Sequence, residues 1–263
     1  MKILLISPTS GGIGGIAQHV DGLSQFLTGE GHEVDITSSG NTFTIPIKRL
    51  KNPSFMLSAL IKTKFGKNYD IIHAHHPMAA LAFKGSSAKK VVTFHGVYSK
   101  QIGILHGNTA STFSNRYEKN ALDWADAVTT GSQEAFEFYS KLGSKVSFVP
   151  NAIDLNSLPT GADTRYEKQI IFAGRLSKEK GADQVEEVLL RLVNKNYKVK
   201  LLLAGGDIFN NQKLEDSIIS LGWLNEDQMR VVFEIADLVL VPSIYPDPFP
   251  TVVLEAMQSG TPV

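Results

Sequence analysis

The sequence predicts an α/β protein built from two doubly wound domains in tandem, the second of them incomplete. Three observations carry this. Short apolar runs alternate with helical stretches along the whole chain, the mark of parallel strands covered on both faces. A chain of 263 residues exceeds one small core and suits two domains of ordinary size. The alternation breaks once, over Pro150–Tyr166, where Pro150, Asn151, Pro159 and Gly161 gather among polar residues, as in an interdomain linker. The expected domains are residues 1–158 and 159–263.

The elements follow in order. Lys2–Ser7 is a buried strand, followed by the Gly-rich loop Ser10–Gly15. Ile16, Val20, Leu23, Phe26 and Leu27 then recur at helical spacing up to Gly29. Further strands are expected at His32–Ser38, Asp70–Ala74, Lys90–Phe94, Ala127–Thr130 and Val146–Val149, with helical stretches at Pro77–Lys84, Ser111–Trp124 and Gln133–Lys141. The second half gives strands at Ile170–Ala173, Val199–Ala204 and Leu238–Val241, and a fourth near Gly222–Leu224. Its helices are Asp183–Asn194, Glu226–Ile235 and Thr251–Gln258. Thr261-Pro262-Val263 reads as the start of another strand, so the chain is expected to be a piece of a longer one.

Composition narrows the chemistry. The chain has no cysteine, which removes disulfide frameworks, thiolate zinc sites, iron–sulfur clusters and cysteine nucleophiles. No apolar run reaches the roughly 18–20 residues of a spanning helix, and the N-terminus lacks a signal-peptide core. A cytoplasmic protein is the expectation. The zero net charge hides a split, a surplus of five positive charges in residues 1–150 and five negative in 151–263. All seven histidines lie between His19 and His106. Neither half is basic enough to make nucleic acid the main partner.

Several motifs sit where open α/β sheets hold ligands, at strand carboxyl ends. Gly12-Ile13-Gly14-Gly15-Ile16-Ala17 matches a dinucleotide fingerprint on paper. Against it, Pro8-Thr9-Ser10 separate it from the strand, and Asp35 lies inside the second strand rather than at its end. A looser role remains, since amides at a helix start favour a phosphate or a sugar oxyanion. His73-Ala74-His75-His76 invites a metal reading, but a third ligand must come from elsewhere, and the preferred reading is a polar strand end with no metal. His95 closes the strand Val91–Phe94 and faces the expected crevice.

In the second half, Gly174-Arg175-Leu176 follows a strand and Lys180-Gly181 comes soon after. A planar fork and a point charge at such a mouth suit a diphosphate. The stretch Val241–Met257 runs from a strand through a Pro-rich loop into a helix near Thr251, with Asp247 before that helix and Glu255 inside it. A carboxylate there is suited to bridge vicinal hydroxyls of a ribose or another sugar. Ile47–Lys67 holds Lys48, Arg49, Lys51, Lys62, Lys64 and Lys67 with no acid, interleaved with Phe55, Met56, Leu57, Leu60 and Ile61. It reads first as a sheet-covering helix with a solvated basic face and second as a peripheral membrane contact.

Taken in order, these motifs resemble the GT-B glycosyltransferases of the large retaining family 4. The resemblance rests on Ser10–Gly15, Asp70–His75, Val92-Thr93-Phe94-His95-Gly96, Val149–Asp154, Phe172–Leu176 with Lys180-Gly181, and Asp247…Glu255 followed by Ala256–Val263. It implies two Rossmann-like domains and transfer of a sugar, with retention, from a nucleotide-diphosphate-sugar co-substrate to a glycan, lipid-linked or small-molecule hydroxyl. No metal or other cofactor is implied, which agrees with the lack of an Asp-x-Asp triplet. Arg175 and Lys180 would neutralise the diphosphate, beside Gly174. Glu255 would hold the nucleotide ribose. Asp247, with Phe249, Pro250 and Thr251 after it, would hold donor-sugar hydroxyls. His95 would lie beside that sugar, and Gly14–Gly15 would approach the phosphate. The family usually has Glu at the place of Asp247 and Gly at the place of Pro250. Two alternatives stand beside transfer: a nucleotide-sugar epimerase of the same plan, and a non-catalytic nucleotide-sugar binding fragment.

Overall fold

The computed structural model describes residues 1–10, 15–47, 50–106, 108–150, 168–206, 209, 211–245 and 250–263, without the side chains of 104–113. The chain divides into two compact units, Met1–Asn151 and Ala152–Val263. The domain boundary expected at 158/159 falls outside the described residues.

In the first unit the strands are β1 (Lys2–Ile6), β2 (Glu33–Thr37), β3 (Ile71–Ala74), β4 (Lys89–Phe94), β5 (Ala127–Thr130) and β6 (Val146–Phe148). They form one parallel sheet in the order β2-β1-β3-β4-β5-β6. Its helices are α1 (Gly15–Gly29), α2 (Lys51–Phe65), α3 (Tyr98–His106), α4 (Asn108–Trp124) and α5 (Gln133–Lys141). The period of two in β1 splits the core. Leu4 and Ile6 pack with Phe55 and Ala59 of α2, Phe83, Ala121 and Tyr139. Ile3 and Leu5 pack on the opposite face with Val20, Ile16 and Leu23 of α1. Each Leu, Ile, Val or Phe among them contributes about 1.5–3 kcal/mol on burial, so a sheet covered on both faces needs the unbroken apolar runs seen in the sequence.

The second unit holds β7 (Gln169–Ala173), β8 (Lys200–Ala204), β9 (Ile218–Gly222) and β10 (Leu238–Leu240), with α6 (Ala182–Asn194), α7 (Glu226–Ile235) and α8 (Thr251–Gln258). Its parallel sheet has the order β10-β7-β8-β9. Ile171, Leu202 and Val239 pack with Phe233 and Ala256 on one face. Ile170, Phe172 and Leu203 pack with Val185 and Leu189 on the other. The α/β fold class predicted from the alternation is therefore found in both units.

Two expectations are corrected, and two helical segments are defined further. The fourth strand of the second unit is Ile218–Gly222, upstream of Gly222–Leu224, because the β-branched pair Ile218-Ile219 supplies the run beside β8 and Gly222 ends it at φ 64°. Pro77–Gly85 is a 3-10 helix opened by Pro77, with His76 as its N-cap. Tyr98–His106 is also helical. Thr261-Pro262-Val263 is not a strand, although the Pro262 carbonyl accepts a hydrogen bond from the Val239 amide at 2.8 Å.

Candidate functional site

In each sheet the strand order reverses beside the first strand, and the adjoining carboxyl ends are where such sheets hold ligands. In the first unit that point lies at β1 and β3. Histidines gather there from three elements. His19 sits in α1, His75 follows β3, and His95 follows β4. The His19 ring centroid is 5.4 Å from that of His75 and 5.0 Å from that of His95, and the His73 and His75 rings, tilted by 34°, have centroids 4.1 Å apart. One ring nitrogen from each of His19, His75 and His95 lies within 4.8 Å of the other two.

Burial makes this cluster neutral. It pushes His73 and His95 down to about 3 and His76 down to about 4, and holds His75 and His19 below the ordinary histidine value. A chain of polar contacts ties part of the cluster to the sheet: His73 Nε2 lies 2.6 Å from Thr93 Oγ1, which lies 2.7 Å from Thr129 Oγ1. His75 Nδ1 and Nε2 and His95 Nε2 are buried with no hydrogen-bond partner among the described residues.

The loop carrying His95 is braced from below. Gly96 turns at φ 138°, in the left-handed region that favours glycine. The buried Glu118 accepts from the Ser99 amide at 2.9 Å and from the Tyr139 hydroxyl at 2.5 Å, while that hydroxyl accepts from the Tyr98 amide at 3.3 Å. Burial and the Glu118 charge push the Tyr139 phenol far above its ordinary value. Asp35 is occupied elsewhere, bonded to Lys67 at 3.0 Å and to the Tyr69 hydroxyl at 2.8 Å. These bonds and the Lys67 charge hold it below the usual carboxylate range. Asp35 therefore lacks the position of a ribose acceptor, as its place inside β2 implied.

In the second unit the reversal lies at β7 and β10. A small crevice there is lined by Phe172, Ala173, Lys180, Leu240, Val241, Ser243 and Val252. The loop after β7 leads to Arg175, whose side chain is 67% exposed and lies 3.7 Å from Glu179. Burial pushes the Glu179 carboxyl up, but its own backbone amide and the charges of Arg175 and Lys180 outweigh this and hold it low. Lys180 is half-buried, with its ammonium 5.4 Å from the centre of the Tyr245 ring.

Gly181 fixes this arrangement. It turns at φ 78°, and a Cβ there would lie 2.1 Å from the Pro242 carbonyl oxygen. The Ile244 amide also donates to the Glu179 carbonyl at 3.0 Å. The Lys180 loop and the loop after β10 are thus bound to each other. The Gly174 amide donates to the Ala204 carbonyl at 2.8 Å, so the sheet already uses it. Pro250 is the N-cap residue of α8, Thr251 its first residue, and Glu255 lies one turn further in. Burial pushes the Glu255 carboxyl up, against a hydrogen bond from Thr251.

The structure brings Lys180, Val241 and Ser243 to one crevice and His95 to one histidine cluster with His75. Gly15 opens α1. Gly14, Asp247 and Phe249 lie outside the described residues. Sequence reasoning missed His19. Its signal was position: it lies one helical turn beyond Gly15, on the first helix after β1, with further histidines just after β3 and β4.

The sequence profile of Glycosyltransferase Family 4 matches residues 13–157, and that of the glycosyl transferases group 1 matches residues 162–263. The chain belongs to the family 4 glycosyltransferases. An uncharacterised glycosyltransferase of Methanocaldococcus jannaschii is 26% identical over 307 residues, covering 95% of this chain and 76% of its own. The phosphatidyl-myo-inositol mannosyltransferase of Mycobacterium leprae is 25% identical over 298 residues, covering 100% of this chain and 78% of its own. The catalytic domain of starch synthase IV from Arabidopsis thaliana, solved with ADP and acarbose, superposes with a TM-score of 0.65 at 16% identity, covering 99% of this chain and 81% of that one. The fold of this glycosyltransferase is GT-B.

Proposed function

We propose that this glycosyltransferase moves a sugar, with retention, from a nucleotide-diphosphate-sugar to a hydroxyl acceptor, without a required metal. The observation that carries the reading is the half-buried Lys180 lining the crevice at the β7–β10 reversal, fixed there by Gly181 against Pro242. Breaking the donor's glycosidic bond leaves negative charge on the diphosphate. Lys180 as a point charge and Arg175 as a fork are suited to stabilise that charge as it develops. Glu255 holds the nucleotide ribose. Asp247, Phe249, Pro250, Thr251, Gly174, Gly14 and Gly15 keep the donor-binding roles implied by the resemblance, and His95 is the first unit's contribution to handling the sugar. The chain offers no evident nucleophile, so the acceptor oxygen attacks on the face that the leaving group vacates. The nucleotide reading is supported by the ADP bound to the starch synthase.

The acceptor is read as lipid-linked or carbohydrate. Among the described residues no helix is long and apolar enough to cross a membrane, but α2 has a second apolar face. Phe55, Met56 and Ala59 are buried, whereas Leu57, Ile61 and Phe65 on the other side are 54%, 49% and 76% exposed. Lys51, Lys62 and Lys64 flank this stripe, while Lys67 is paired with Asp35 and Glu33. The sequence favoured a solvated basic face, yet the outer face of α2 is as apolar as it is basic. Such a face suits the surface of an anionic bilayer. The phosphatidyl-myo-inositol substrate in the mycobacterial relative's name fits that acceptor class. This keeps the enzyme at the cytoplasmic face of a membrane.

The test incubates the full-length protein with nucleotide-diphosphate-sugars, with and without lipid and sugar acceptors, and analyses the products. Nucleoside diphosphate released only with an acceptor, together with a new glycoside of unchanged anomeric configuration, is the expected result. An altered sugar still attached to its nucleotide would mean epimerisation. Binding without turnover would mean a donor-binding module.

A further inference from the structure

We propose that His19, His75 and His95 form a binding site for a single divalent transition-metal ion such as Zn2+. The residues come from three separate elements, α1 and the segments just after β3 and β4, and converge at the carboxyl ends of the first sheet. Reading the sequence alone, the run His73–His76 needed a further ligand from elsewhere in the chain. The fold supplies two, one from each neighbouring element, and sets His73 and His76 aside: His73 is bonded to Thr93, and His76 Nδ1 accepts from the Met78 amide.

The geometry is within reach. Zinc binds imidazole nitrogen at about 2.0–2.1 Å in tetrahedral sites, which spaces neighbouring nitrogens by about 3.3 Å. The three ring nitrogens here lie within 4.8 Å of one another, so the longest gap closes by about 1.5 Å on that standard spacing. His19 can close it by a change of rotamer, because it is only partly buried.

The donors are also of the right kind. His75 is 1% exposed and both its ring nitrogens lack a hydrogen-bond partner among the described residues, as does His95 Nε2. Burying such groups unsatisfied is costly, and a metal ion would take up one ring nitrogen of His75. Imidazole selects zinc, copper, cobalt and nickel over magnesium and calcium. The site differs from the proposed donor machinery in its ligand and in its residues, save His95. An ion held there would occupy one ring nitrogen of His95.

The test is calorimetric titration of tag-free protein with Zn2+, repeated with Co2+ while recording its visible absorption. One ion per chain and an intense tetrahedral Co2+ spectrum are expected. His19→Ala and His75→Ala should each weaken Zn2+ at least about tenfold, whereas His32→Ala, outside the cluster, should leave it unchanged. His19 is partly exposed, so His19→Ala keeps the test decisive if His75→Ala does not fold by circular dichroism. Absence of Zn2+ binding, or undiminished affinity in the His19→Ala/His95→Ala double variant, would overturn the proposal. Neither readout requires turnover, so this result and the outcome of the transfer assay can be told apart.

Discussion

The two units build their strand-end sites from the same backbone plan and fill them with opposite chemistry. At the β1–β3 reversal stand imidazoles that burial keeps uncharged. At the β7–β10 reversal stand a half-buried ammonium and a largely exposed guanidinium. A doubly wound sheet provides a crevice wherever its order reverses, but it does not decide what enters. Hydrated cations near the surface can exchange water for phosphate oxygens at modest cost. Neutral, desolvated rings repay nothing to an anion and favour hydroxyls or a metal ion. The topology therefore locates both sites, and the degree of burial of their nitrogen groups distinguishes them.

The sharpest way to break this contrast is to remove the cations. Arg175→Ala and Lys180→Ala are each expected to lower kcat/KM by about 10²–10³-fold, the usual cost of losing one preorganised charge-stabilising group, with unchanged circular dichroism. Unaltered steady-state kinetics in both variants would end the diphosphate assignment. Next comes the backbone that holds Lys180. Gly181→Ala places a methyl group against the Pro242 carbonyl at a left-handed φ, and should destabilise the chain by about 1–3 kcal/mol in urea titrations.

Glu255 sharpens the comparison through a trade-off. Glu255→Gln is expected to weaken nucleotide binding about tenfold, the worth of a hydrogen bond to a charged group, as measured by calorimetry. The same variant should melt at a higher temperature at pH 7. Burial raises the carboxyl above its unfolded value of 4.5, so ionising it costs stability as the pH rises past that value. Below it both states are protonated, and the gap in Tm between the two proteins should close. The smallest effect expected is on lipid. Ile61→Asp with Phe65→Asp should reduce co-sedimentation with anionic vesicles several-fold, since two exposed apolar side chains leave the bilayer surface. Equal sedimentation would return α2 to a purely structural role.

Much of this was legible in the sequence, and the particulars show why. Ile3 to Ile6 is an unbroken apolar run, and the two faces it feeds follow from the period of two. Gly174-Arg175 and Lys180-Gly181 could be placed at a strand mouth because β7 is five buried or nearly buried residues followed at once by glycine. Other features were invisible for physical reasons. The histidine cluster assembles from residues far apart in sequence, and no local pattern tells that His19 faces His75. The Glu118–Tyr139 brace joins a helix to another helix beneath a loop, again through tertiary contact alone. The strand Ile218–Gly222 was misplaced because two isoleucines and a leucine around a serine fit several local conformations until β8 selects one.

The contact of Gly181 with Pro242 has a mechanical consequence. With no slack at that joint, and with the Ile244 amide bonded to the Glu179 carbonyl, the segments Ser177–Gly181 and Pro242–Ile244 are geared together. A shift of one backbone segment must be matched by a shift of the other. Sequence drift in either segment is therefore constrained by the other, and an engineer wishing to retune one must redesign the two as a single part.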